Sequence, residues 1–100
     1  LSPRPISVYT ETMLVITWDE PKRLKTIRER GLDFSDLNET FFLSALLIPA
    51  KQNRMMAIGP FSDGVIAVVF VALGTEGLSV ISMRPASPKE RKLYEEAAIH

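Results

Sequence analysis

Hydrophobic and polar positions change period several times along this chain, and each change marks an element. Leu14 to Trp18 alternates enough for a short strand at a sheet edge. Asp19 then offers an N-cap oxygen and Pro21 fits a first helical turn, so a helix is predicted to Arg30, with Gly31 as its breaker. On its wheel, Leu24 and Ile27 form the buried stripe; Lys22, Thr26 and Glu29 share the opposite face, flanked by Lys25 and Arg30. A second helix is predicted from Ser35, as N-cap, to about Ser44, burying Leu37, Phe41 and Phe42.

The middle of the chain is strand-like. Leu46–Ala50, Arg54–Pro60, Val65–Leu73 and Leu78–Met83 are short and rich in strand formers. Ser62-Asp63-Gly64 is a hairpin signal, and Gly74 to Gly77 closes the next turn. Such close spacing requires antiparallel pairing, because a parallel crossover needs about a dozen residues. Ser87-Pro88-Lys89-Glu90 is a capping box with proline at the first helical position, opening a helix to about Ala98. The pattern predicts an α+β fold: a four-stranded antiparallel meander with the helices packed over one face. Residues 1–12 contain two prolines and no periodicity. They are expected to be a disordered or poorly packed N-terminal extension, with a single domain over 13–100.

Composition narrows the function classes. A 100-residue chain with 46% hydrophobic and 24% charged residues has enough apolar content for a core and is no disordered tail. The absence of cysteine removes disulfides and thiolate sites, and suits a cytoplasmic protein. The longest apolar run, Val65–Leu73, is about half the ~20 residues a bilayer span needs, so no membrane partner is expected. His100, the last residue, is the sole histidine, which leaves no Ser-His-Asp triad and no zinc ligands. No metal or cofactor is expected.

Net charge is zero, yet the charge is segregated. Lys22, Arg23, Lys25, Arg28 and Arg30 face only Glu29 in their stretch, and Arg84, Lys89, Arg91 and Lys92 gather late in the chain. Either group can be a solvated helix face or a local anion site. Arg84 precedes Pro85, where the chain leaves the sheet; its plain structural role is a salt bridge to Glu90 or Glu95. Glu90 has the capping box as its plain role, Tyr94 half-buried packing, and Trp18 a core anchor.

Three blocks of sequence carry a resemblance. Ile16-Thr17-Trp18-Asp19-Glu20-Pro21-Lys22 with Gly31-Leu32-Asp33-Phe34 resembles the opening of BrnT toxins. Arg54-Met55-Met56-Ala57-Ile58-Gly59 is similar to that family's central strand. Ile81-Ser82-Met83-Arg84-Pro85-Ala86-Ser87-Pro88-Lys89-Glu90-Arg91 through Tyr94-Glu95 is similar to its C-terminal signature. The resemblance implies a RelE-like fold, a type II toxin that cleaves mRNA and inhibits translation, and a BrnA-like antitoxin with a ribbon-helix-helix domain. Operator DNA is then reached only through the antitoxin. BrnT sequences often carry an Asn, then Lys-His before the glycine ending the first helix; here Thr26, Glu29 and Arg30 hold those places. That departure suits an alternative: a cleavage-deficient relative acting within a repressor complex.

Without a metal site or a usable histidine, RNA cleavage has to use the substrate's own 2′-hydroxyl, with cations stabilising the phosphate. Lys22, Arg84 and Arg91 are the expected catalytic cations and Glu90 the expected base. Lys25, Arg30, Arg54 and Lys89 are expected to bind RNA.

Overall fold

A computed structural model describes residues 14–99. The expectations for residues 1–12 and for His100 lie outside these residues.

Five strands, β1 (Val15–Trp18), β2 (Leu46–Pro49), β3 (Met55–Phe61), β4 (Gly64–Leu73) and β5 (Gly77–Pro85), form one sheet in the order β1-β5-β4-β3-β2. The meander β2-β3-β4-β5 is antiparallel throughout, as its short turns require. In the turn after β2, Gln52 and Asn53 both have positive φ (60° and 61°), and Arg54 N–H donates to the Lys51 carbonyl at 3.2 Å. That is a type I′ turn, whose twist matches the strands it joins.

The four-stranded antiparallel expectation is corrected at one edge. β1 is a fifth strand and pairs parallel to β5, Ile16 opposite Leu78 and Trp18 opposite Val80, so the sheet is mixed. A parallel partner needs a long connection, and residues 19–76, with two helices and three strands, lie between β1 and β5.

The helices are α1 (Glu20–Arg30), α2 (Glu39–Ser44) and α3 (Pro88–Ile99), with a 3-10 turn at Phe34–Asp36. They are not all on one face. Phe34, Leu37, Phe41 and Phe42 pack on Ala57, Ile66, Val68, Phe70, Leu78, Val80 and Met83 to form the main core. Phe42 meets Phe41 and Phe70 edge-on, with ring centroids 5.1 and 5.3 Å apart. Ile58 and Ala67, cross-strand partners with opposite parity, are equally buried. They face the other side, where α3 packs against β3.

Two helix expectations also change. The predicted helix from Ser35 breaks at Leu37, whose φ and ψ are −77° and 143°. Asp33 accepts from Ser35 N–H to cap the 3-10 turn, and Asn38 accepts from Phe41 N–H at 3.0 Å to start α2. Asx side chains compete with the helix for backbone donors, and two in succession divide it. In α1, Leu24 is 44% exposed whereas Thr26 is buried, its hydroxyl donating to the Lys22 carbonyl at 2.8 Å. The wheel assumed a broad apolar surface for α1 to cover. Instead α1 lies beside the edge of β5, where a small, internally bonded side chain permits close approach.

Candidate functional site

The site begins where β1 runs out. β1 pairs with β5 only as far as Trp18 and Val80, while β5 continues to Pro85. α1 takes up the exposed edge. Arg30 Nη1 donates to the Met83 carbonyl at 2.9 Å, a backbone acceptor that no strand reaches. A bulge sets the aim of the side chains here: Phe70 pairs with Val80 but Val69 pairs with Ser82, leaving Ile81 as the extra residue. Past the bulge, Met83 points into the core and Arg84 to the face that carries α3.

A shallow cleft follows between α1 and β5, lined by Lys22, Lys25, Thr26, Glu29, Arg30, Ile81 and Ser82. It brings together three of the predicted cations. Sequence reasoning missed Ile81 and Ser82 as lining, because a bulge inside an apolar strand leaves no compositional mark.

Arg84 and Glu90 form the second part. Nη1 donates to Oε1 at 2.7 Å and Nη2 to Oε2 at 2.8 Å, a bidentate pair with Arg84 34% and Glu90 16% exposed. Nη1 also reaches the Pro85 carbonyl at 3.3 Å. Ser87 N–H donates to Glu90 Oε1 at 2.9 Å and Glu90 N–H to Ser87 Oγ at 3.2 Å, so the capping box is present as read. The hydrogen bonds from Arg84, ahead of the Ser87 amide, hold the Glu90 carboxyl down to about 2, and the same pairing raises Arg84.

The other candidates are spread more widely. Arg91 lines a separate depression with Gly31, Leu32, the Ser62–Asp63 turn and Pro85, at the same end of the sheet. Lys89 is exposed on the first turn of α3. Arg54 is elsewhere. It precedes β3 at the turn from β2, whereas Ile58 is the β3 residue level with Ala67 and Arg84; four strand residues therefore put Arg54 roughly 13 Å away along the sheet.

A polar network ties β1 to α1 and the loop beyond. Trp18 Nε1 donates to Glu20 Oε1 at 2.9 Å, and Arg23 donates to Glu20 at 2.8 and 2.9 Å and to both oxygens of Asp33 at 3.0 Å. Bonds from Arg23, then Trp18, lower the Glu20 pKa; those from Ser35 and then Arg23 lower Asp33. Thus Arg23, one of the basic run, is structural. Among the described residues, no group of three His, Cys, Asp or Glu side chains is placed to hold a metal ion, and no helix is long and apolar enough to cross a membrane.

The chain that carries this arrangement has relatives among known proteins. A family model described as the ribonuclease toxin BrnT of type II toxin–antitoxin systems matches residues 18–90, which include β1's last residue and the Glu90 cap. The chain belongs to the BrnT family. The crystal structure of the Brucella abortus ribonuclease toxin BrnT is 56% identical, with a TM-score of 0.69 over 74% of this chain and 97% of that one. No curated protein matches. Family membership identifies the chain as a type II toxin component, and a toxin of this type implies an antitoxin partner.

Proposed function

We propose that this BrnT family member is a metal-independent endoribonuclease that cleaves mRNA and thereby inhibits translation in the cytoplasm. The observation that carries the reading is the cleft that gathers Lys22, Lys25 and Arg30 beside β5, with Arg84 two residues beyond its Ser82 lining and Arg91 at the same end of the sheet. The substrate's 2′-oxygen attacks phosphorus and the P–O5′ bond breaks. The hydroxyl proton passes to solvent, the 5′-oxygen takes one back, and a 2′,3′-cyclic phosphate remains. Preorganised cations then stabilise the charge on the phosphoryl oxygens, often the largest catalytic contribution. Lys22, Arg84 and Arg91 are the proposed catalytic cations, and Lys25, Arg30 and Lys89 the proposed RNA-binding ones. Arg54 would meet the strand only at a distance, on RNA running along the sheet.

The proposed partner is a BrnA-like ribbon-helix-helix antitoxin, through which alone the complex meets operator DNA. The decisive experiment is an RNA digest in EDTA with end-group analysis. Cyclic-phosphate ends and a loss on the order of 100-fold in a stably folded Arg84→Ala variant are expected. Inhibition by EDTA, or full activity in Arg84→Ala, sinks the mechanism.

One observation favours the second reading, a binding-only relative. Arg84 is engaged by Glu90 and Arg30 by the Met83 carbonyl, so two of the cations already have partners. Induction of the chain alone in a bacterium separates the two: growth arrest supports cleavage, and unaffected growth supports binding.

A further inference from the structure

We infer that Glu90 is a positioning residue: by occupying the end edge of the Arg84 guanidinium, it presents that group's side edge to a substrate phosphate. The inference rests on the ribonuclease reading above and concerns how the central cation of that site is held.

The argument is a count of donors. A guanidinium has five N–H groups in one plane and no acceptor. Glu90 takes one from Nη1 and one from Nη2, at 2.7 and 2.8 Å, and the Pro85 carbonyl takes the other Nη1 donor at 3.3 Å. Two remain, Nε–H and the outer N–H of Nη2, and among the described residues neither has a partner. In a planar guanidinium these two lie side by side on the edge away from Nη1. They form a second fork of the spacing that suits two phosphate oxygens. The pair is therefore not a closed structural bridge. One edge is spent on fixing the group, and the other is left for a ligand.

Glu90 itself is held by more than Arg84. The Ser87 amide donates to the same Oε1, and the reciprocal bond from Glu90 N–H to Ser87 Oγ fixes the first turn of α3. Pro88, the first residue of α3, restricts the backbone at this step. The order of control runs from the capping box to the carboxylate, from the carboxylate to the guanidinium plane, and from that plane to the phosphate. A carboxylate collecting three donors and only 16% exposed is also a poor proton acceptor, which removes it from the role of general base expected from the sequence.

The test compares Glu90→Gln, Glu90→Ala, Arg84→Ala, Arg84→Lys and the double alanine variant, each first checked for a cooperative melt. Affinity is measured for a 2′-O-methyl oligoribonucleotide, which cannot be cleaved, so this arm stands whether or not the chain cuts RNA. Positioning predicts that Glu90→Ala and Arg84→Ala each weaken binding by about tenfold, and that the double variant is within about threefold of Arg84→Ala, since coupled residues do not add. Arg84→Lys should not restore binding, because an ammonium cannot serve two forks. Glu90→Gln should accelerate exchange of the Arg84 Nη protons seen by NMR, a readout that a cap alone would leave unmoved. On cleavable RNA, the acid limb of the kcat profile should keep its position in Glu90→Gln. Losses that multiply in the double variant, unchanged Nη exchange, or disappearance of the acid limb in Glu90→Gln would overturn the inference.

Discussion

At the scale of single residues, Glu90 links stability to pH. Its folded-state value is depressed to about 2 from 4.5, chiefly by hydrogen bonds from Arg84. A depressed carboxyl contributes stability that is fully present above the unfolded value and lost as pH falls through the folded one. The window is therefore about pH 5 down to 2. Melting curves across this range should show the gap between the parent chain and Glu90→Gln narrowing as pH falls. A gap that stays constant would show the pairing contributes nothing. Glu20 and Asp33 are also depressed and lose their pairing in acid, but they do so equally in both proteins.

At the scale of elements, caps decide where helices begin. Asn38, not Ser35, caps α2, so Asn38→Ala should cost about 1 kcal/mol in denaturant unfolding. Ser35→Ala should cost clearly less, since Ser35 is exposed and donates to Asp33 instead of receiving a helix amide. The same scale explains Gly59. A Cβ there would lie 3.1 Å from the Ala45 Cβ and 3.2 Å from Phe41 Cε1, both on rigid parts of α2 and its exit. Gly59→Ala is expected to destabilise by roughly 1–3 kcal/mol through overpacking, measured by the same unfolding curves. An unchanged midpoint would show that α2 can shift away from β3.

At the scale of the whole molecule, one apolar run is divided between core and surface. Phe41 and Phe42 are buried against the sheet, whereas the adjacent Leu43 is 79% exposed. Phe42→Ala should cost about 3–5 kcal/mol and Leu43→Gln should stay within about 0.5 kcal/mol. Equal effects would contradict the packing described above. The bulk of the molecule is thus a two-faced sheet, with its main core under α2 and a smaller one under α3. The candidate site falls at the end of β5, beyond the last residue of β1, where α1 lies against the strand and Arg84 meets the first turn of α3.

Local chemistry alone determined the meander, its turns, the α1 N-cap at Asp19 and the capping box of α3. Each depends on residues within a few positions of one another, and sequence spacing states such relations directly. The basic residues were legible too, as residue types. What they touch was not. That Arg23 belongs to Trp18, Glu20 and Asp33, that Arg54 lies far along the sheet from Arg84, and that Arg30 closes on the Met83 carbonyl all depend on long-range placement. The parallel seat of β1, the bulge at Ile81 and the distribution of helices over both faces are likewise products of pairing between distant segments. An amphipathic wheel records which side chains are apolar. Only the sheet, by ending β1 early and leaving the edge of β5 open, decided that α1 would bury a threonine and turn its lysines toward a cleft.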